Sequence, residues 1–343
     1  MSAPVAHGGA PRGWLEFSAS LNPCGTPPAV RAAVARAGYG AYADLDPREA
    51  ELHLAEDAGV AATCVLLTAG ATEALRLAVR AFGEPSGRAA VLGPTYGEYS
   101  RLAAMHGIAT VEVRAHAPDF APPVELFAGA LAAERLSLAV VCDPNNPTGR
   151  RLTADALGAI CDALPPGAVL VIDQSFAAFS DEPLCAAELT RRPNVILVRS
   201  LTKLLAAPGI RAGYVIGPAE LVAALRGVRD PWSPGAHAIA AAGAASWHID
   251  PALRGTLAAW RSRLARALGG LGLPTVPSDA PFLLAHAGPR AGGLLRSLAA
   301  ERIAVRWCAS FGLSEHVRLA VRPPEEQDAL LRALMSARAE VGW

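Results

Sequence analysis

The chain has 343 residues, 52% of them hydrophobic, and 31 basic residues balanced by 31 acidic ones. That length can bury one large core and a smaller one. Zero net charge gives no general pull toward nucleic acid or an anionic membrane, and no apolar run reaches the roughly 18 residues of a membrane span. The stretch Met1 to Arg12 lacks a basic region followed by an apolar one, so it does not read as a secretory signal. Six scattered cysteines (Cys24, Cys64, Cys142, Cys161, Cys185, Cys308) form no CxxC pair. They are expected as buried free thiols in a reducing cytoplasm, with neither disulfides nor a metal.

In chain order, the Pro-rich NPCGTPP (22–28) predicts an extended arm. Short apolar runs then alternate with helical patterns. CVLLT (64–68) leads into a helix over 71–82, and AAVLG (89–93) into one over 98–106. LAVVC (138–142) precedes a loop and a helix near 153–164. VLVID (169–173), VILVRS (195–200) and AGYVIG (212–217) complete the set of buried strands. This alternation predicts an α/β domain with a mostly parallel sheet, whose ligand sits at the carboxyl ends of the strands. After Pro231 the pattern changes to helices at 236–248 and 251–270, then FLLAH (282–286), IAVRW (303–307) and HVRLAV (316–321), a smaller α+β unit. Boundaries are expected at 1–30 for the arm, 31–230 for the large domain and 231–343 for the small one.

One compositional feature singles out a residue. Of the 31 basic residues, 30 are Arg and one, Lys203, is Lys. A GC-rich genome explains the excess of Arg, but Arg stays protonated and cannot form an imine, whereas a Lys amine can attack a carbonyl.

The strand ends carry the remaining chemistry. Ala-Gly-Ala-Thr-Glu (69–73) opens a helix, so its free N–H groups and dipole make an anion site with Thr72; most such turns only redirect the chain. Pro-Thr-Tyr (94–96) places Tyr96 where a ring could stack on a planar ligand, or serve simply as a core aromatic. Asp-Pro-Asn-Asn-Pro-Thr-Gly (143–149) is a rigid loop with a side-chain amide to offer. Asp173 ends an apolar strand, which is costly for a carboxylate unless it meets a cation. Ser200, Thr202 and Arg211 flank Lys203 and suit a phosphate.

Taken together, Gly-Ala-Thr-Glu, Pro-Thr-Tyr, Asn-Asn-Pro-Thr-Gly, Asp173, Ser-Leu-Thr-Lys and Gly-Ile-Arg-Ala-Gly-Tyr resemble the fold type I pyridoxal 5′-phosphate (PLP) enzymes of the class I/II aminotransferase group. The resemblance spans nearly the whole chain. It implies the PLP-dependent transferase fold: a large domain with a seven-stranded, mostly parallel sheet, a small α+β C-terminal domain, and a homodimer with shared sites. It further implies that Lys203 is the Schiff-base lysine, Asp173 pairs with the pyridine nitrogen, Asn146 bonds the ring hydroxyl and Tyr96 stacks on the ring. Gly70, Ala71, Thr72, Ser200, Thr202 and Arg211 would serve the phosphate, with Tyr42 reaching the partner's. Arg318 would grip the substrate carboxylate, and Asn22 lies on the arm that covers the site.

Within the group, the sequence is most similar to threonine-phosphate decarboxylases of cobalamin biosynthesis, relatives of histidinol-phosphate aminotransferases. The likeness rests on 16–25, 198–203, 206–211, 230–233 and 302–309, with Phe176 where many aminotransferases carry Tyr. A phosphorylated substrate needs further cations; Arg306 and Arg322 are candidates and read equally well as solvated surface arginines. Three departures stand out: Gln174 replaces a Glu, removing a carboxylate close to the cofactor; Ala43 replaces a Pro; Gly235 replaces an Asn. The expected activity is therefore a threonine-phosphate decarboxylase. The alternatives are a histidinol-phosphate type aminotransferase, or a relative recruited to specialised metabolism that deprotonates Cα for β- or γ-replacement or carbon–carbon bond formation. A non-catalytic regulator of this fold fits poorly with Lys203, Asp173 and Arg211 all present.

Overall fold

A computed structural model describes residues 8–132, 135–181 and 185–341. Twelve strands occur among them: β1 Leu15–Glu16, β2 Val65–Thr68, β3 Arg88–Gly93, β4 Ala109–Arg114, β5 Leu136–Cys142, β6 Val169–Asp173, β7 Val195–Ser200, β8 Gly213–Ile216, β9 Phe282–His286, β10 Ile303–Ala304, β11 Arg306–Trp307 and β12 His316–Ala320. Seven of them form the central sheet in the order β2-β8-β7-β6-β5-β3-β4. β8 runs antiparallel to both its neighbours, and the other pairings are parallel. β5, β6 and β7 are buried along their whole length, as strands covered on both faces must be. Because β8 is reversed, it starts at the edge where the others end. The close of β2, β3, β5, β6 and β7 and the start of β8 thus converge on one rim.

The apolar runs 169–173, 195–200 and 282–286 fall on strands with those same bounds, and the helices 71–82 and 251–270 likewise. β4 escaped the pattern because its edge position leaves it half-exposed, with charged Glu112 and Arg114 among its residues. IAVRW divides into β10, which pairs in parallel with β1, and β11, which pairs with β12. The expected helix 236–248 stops at Ala242.

Two cores flank the sheet and a third sits in the C-terminal unit. Ala238, Ala241, Trp247 and Leu257 join Leu170, Leu197 and Tyr214 under the sheet, whereas Leu264, Leu283, Leu319 and Leu334 pack with Phe17. β1, in the arm, pairs in parallel with β10 through Leu15↔Ile303 and Glu16↔Ala304. Residues 236–257, placed by sequence with the small domain, share the large core; we propose that the division falls within the helix Pro251–Gly270. The cysteines need a correction. All six are free, but Cys24 and Cys185 are exposed and only Cys142, Cys161 and Cys308 are fully buried. Among the described residues no helix is long and apolar enough to cross a membrane.

Candidate active site

A cavity of about 540 Å³ opens on the rim where the strands converge. Lys203 lies in it, in the short helix Leu201–Leu204 that follows β7 directly. Its Nζ donates to Thr202 Oγ1 at 3.1 Å, and the Thr202 and Ser200 hydroxyls share a hydrogen bond of 2.7 Å. Burial, with Arg211 and Arg318 nearby, brings the lysine amine down to about 8. A neutral nucleophilic amine is therefore accessible near neutral pH.

Asp173 sits at the floor, 3% exposed. Its Oδ2 accepts from the Tyr99 hydroxyl at 2.8 Å and its Oδ1 from the Ser175 amide at 2.8 Å. Burial raises its pKa despite both bonds, and among the described residues it makes no ion pair. Tyr99 is itself pushed well up, by burial first and then by the Asp173 charge. Sequence reasoning passed over Tyr99. The available signal was a tyrosine three residues beyond Tyr96, at the start of the helix Glu98–Met105, where a buried hydroxyl needs a partner. Tyr96 lines the same wall, edge-on to Tyr99 with ring centroids 5.6 Å apart, and is hydrogen-bonded to Thr72.

At one end the helix Ala71–Phe82 presents Ala71 and Thr72 to the cavity beside Ser200, Thr202 and Arg211. Gly70 turns into this helix at φ +85, and a Cβ there would come within 2.8 Å of Arg211 Nη2. Glycine is required by the conformation, since the guanidinium it meets is the movable end of the Arg211 side chain. Arg211 is held in the left-handed region, φ 60, with Nη1 on the Pro208 carbonyl at 3.0 Å. Backbone amides, three hydroxyls and a guanidinium so arranged suit a dianionic phosphate.

At the other end Arg318, 6% exposed, donates to Asn146 Oδ1 and, at 2.9 Å, to the Ser18 carbonyl. It lies over the Phe282 ring at 5.0 Å, and burial lowers its pKa to about 10. Arg306 also lines the cavity, with Nη2 on Ser310 Oγ at 2.6 Å. Phe176 closes the wall edge-on to Phe282.

Not every expected residue arrives here. Asn22 is buried, but its amide donates to the Leu204 carbonyl and its Oδ1 accepts from Cys24, so it braces the lysine helix from behind. Arg322 pairs with Glu326 at 2.9 Å and is not on the cavity wall. Tyr42 is 81% exposed and stacks on Trp232 at 4.6 Å, away from this chain's own cavity. Gln174, expected close to the cofactor, points to the opposite face of the sheet and accepts from Arg199 Nε at 3.0 Å. Strand alternation carries it away from Asp173.

The profile of the family "Aminotransferase class I and II" matches residues 12–334. The chain belongs to the class I and II aminotransferase family. A histidinol-phosphate aminotransferase of Symbiobacterium thermophilum is 33% identical over 332 residues, which cover 95% of this chain and 91% of the relative. Among solved structures, histidinol-phosphate aminotransferase from Sinorhizobium meliloti in complex with pyridoxal-5′-phosphate superposes with a TM-score of 0.87 at 24% identity, covering 95% of this chain and 91% of that one. L-threonine-O-3-phosphate decarboxylase from Porphyromonas gingivalis superposes at 0.79 and 22% identity, covering 93% and 98%, a likeness of fold.

This aminotransferase is thus a fold type I, PLP-dependent enzyme. Its site fits the cofactor on observations of its own. The buried Asp173 carboxylate, without an ion pair among the described residues, calls for a cation such as a pyridinium, and the hydroxyls that suit a phosphate adjoin the Lys203 amine through Thr202.

Proposed function

We propose that this aminotransferase transfers the amino group of a substrate bearing an anionic phosphate, of the histidinol-phosphate kind. The observation that carries the reading is one cavity lined by the Lys203 amine, the buried Asp173 acid and two arginines, Arg318 and Arg306. The near-full-length relative at 33% identity favours amino transfer over the decarboxylation expected from sequence motifs.

Bound PLP supplies an electron sink conjugated to the amino-bearing carbon. In this reading Lys203 Nζ would hold the cofactor and, as a neutral amine facing the substrate, would accept the Cα proton and pass it on rather than give it back to Cα. Asp173 keeps the pyridine nitrogen protonated, with Tyr99 and Ser175 fixing its carboxylate. Tyr96 would face the cofactor ring and Asn146 its hydroxyl. Ala71, Thr72, Ser200, Thr202 and Arg211 hold the phosphate, with Gly70 shaping the turn. Arg318 and Arg306 together receive the substrate's anionic group; Arg322, engaged elsewhere, is left out. The exposed Tyr39 and Tyr42, 91% and 81% accessible, suit a homodimer in which Tyr42 reaches the partner's phosphate end. We also assign the enzyme to the cytoplasm, in keeping with six unpaired thiols.

A second reading, threonine-phosphate decarboxylation, draws on Phe176, whose ring leaves no hydroxyl at that point of the wall. The deciding experiment offers the PLP-loaded enzyme L-histidinol phosphate with 2-oxoglutarate, and separately L-threonine phosphate with carbon dioxide measured. Glutamate formation supports the proposal; carbon dioxide release without it installs the second reading; silence in both points to a recruited chemistry. Capture of PLP by apoprotein tests the lysine directly. Neutral amine is the attacking form, so the capture rate rises with pH and levels off above about 8. A rise continuing toward the ordinary lysine value of 10.5 contradicts the assignment.

A further inference from the structure

The N-terminal stretch supplies wall as well as cover: Gly8, Gly9, Ala10 and the run 18–21 all line the cavity. One side chain organises that stretch, and the reading above gives it no role. Glu16 Oε2 accepts from the Ala10 amide at 2.5 Å. Its Oε1 accepts from the Ser18 amide at 2.6 Å, the Ser18 hydroxyl at 2.6 Å and the Ala19 amide at 2.9 Å. A carboxylate offers about four acceptor positions, two on each oxygen, and here Oε1 takes three donors and Oε2 one. The Ser18 hydroxyl in turn accepts from the Gly9 amide at 2.8 Å, and the Ser18 carbonyl accepts from Arg318 Nη2 at 2.9 Å. Arg318 feels the Glu16 charge. β1 anchors the whole arrangement on β10.

We propose that Glu16 is a positioning residue for the substrate. It clasps the 8–10 strap against Ser18, and through the Ser18 carbonyl it aims the Arg318 guanidinium into the cavity. The proposal rests on the reading that Arg318 receives a substrate anion. Glutamate is specific to the task. Gln has one acceptor oxygen and would turn an NH2 group toward amides that also donate. Asp is one methylene shorter; it keeps the Ser18 and Ala19 amides within reach but loses Ala10. An uncharged probe of the same clasp exists at Gly8, where an added Cβ would lie 2.4 Å from the Ser18 carbonyl oxygen, the acceptor Arg318 uses.

The test uses PLP-loaded Glu16→Gln, Glu16→Asp and Gly8→Ala enzymes with L-histidinol phosphate, together with amide hydrogen exchange. Loss of charge-assisted bonds at this strength raises KM on the order of 10- to 100-fold in Glu16→Gln. Glu16→Asp lies between it and wild type, Gly8→Ala also raises KM, and kcat stays within about threefold throughout. Exchange at Gly9 and Ala10 quickens while the cofactor's absorbance is unchanged. Unchanged KM in a PLP-loaded Glu16→Gln enzyme overturns the proposal, as does a fall in kcat accompanied by loss of the cofactor band. Should Glu16→Gln not fold, unchanged KM in Gly8→Ala overturns it equally. If wild type does not turn over the substrate, the functional reading fails by itself. Exchange then decides the clasp, and unaltered rates at Gly9 and Ala10 in Glu16→Gln refute it.

Discussion

Asp173 and Gln174 are consecutive residues at the end of β6, and pleating sends them to opposite faces of the sheet. On the cavity face stands an acid with no ion pair among the described residues: Asp173, buried, held by Tyr99 and Ser175, its pKa raised even with Lys203 nearby. On the far face stands a cation with no ion pair among the described residues. Arg199, 4% exposed, donates to Gln174 and, at 3.3 Å, to the Tyr214 hydroxyl, and lies 4.6 Å from the centre of the Trp247 ring. Both are buried charges that an isolated chain pays to keep. The cavity-side charge is open to a ligand that can balance it, whereas the far-side charge is walled in by aromatic rings that balance it only in part. A buried charge thus reads as a binding feature only where a cavity meets it.

The cavity side is broken most completely at Lys203. Lys203→Arg keeps the positive charge but cannot form the covalent link, and turnover should fall by at least about 10³-fold. The cofactor's absorbance band should vanish with it, and full turnover would remove the lysine from its assigned role. Asp173→Asn comes next. It preserves shape and the Tyr99 contact but removes the charge we propose to hold a protonated pyridine nitrogen. Leaving a buried charge pair half-made costs roughly 2–5 kcal/mol, so kcat should fall by about 10²-fold or more. Apoprotein of the same variant should melt no lower than wild type. The raised pKa of Asp173 means that its ionised form is disfavoured in the fold, and Asn relieves that. A loss of stability in the apoprotein would show that the acid is structural.

Much of the cavity side was legible in the sequence, since each piece sits where an apolar strand stops and a polar or glycine residue begins. Gly70, Asp173, Ser200 and Lys203 all mark such points, and the solitary lysine among arginines drew attention to itself. What stayed hidden depends on side-chain direction across space. Arg322 and Arg306 lie in similar sequence surroundings. Only packing shows that one pairs with Glu326 and the other faces the cavity. Asn22 sits on the arm as expected, yet its amide is spent on Leu204. Glu16 gives no local signal because its partners are mostly backbone amides, whose approach depends on how the arm folds back. Gln174 was misplaced by reading neighbours in sequence as neighbours in space.

Tyr99 separates holding the acid from supplying it. Tyr99→Phe deletes only the 2.8 Å bond to Asp173 Oδ2. A hydrogen bond to a charged group is worth about 1.5–3 kcal/mol, so PLP should dissociate roughly 10- to 100-fold more readily, measured by titrating apoprotein. An unchanged dissociation constant would mean that Ser175 alone fixes the carboxylate.

The smallest effect on catalysis is expected across the sheet. In Gln174→Glu the amide nitrogen, buried and without an acceptor, becomes a second oxygen facing the Arg199 guanidinium. The change removes an unsatisfied donor and balances a buried cation whose other contacts are a hydroxyl and two rings. An unmet buried donor costs about 1–3 kcal/mol, so the melting temperature should rise by roughly 2–6 °C. Because the new charge lies on the face away from Asp173, kcat should stay within about twofold of wild type. A tenfold loss of kcat with a shifted cofactor band would show that the two faces are coupled electrostatically through the strand. The glutamine would then belong to the catalytic setting. A rise in stability with unaltered turnover would instead confine it to the far-side core, leaving the acid at 173 as the only one of the pair that serves the cofactor.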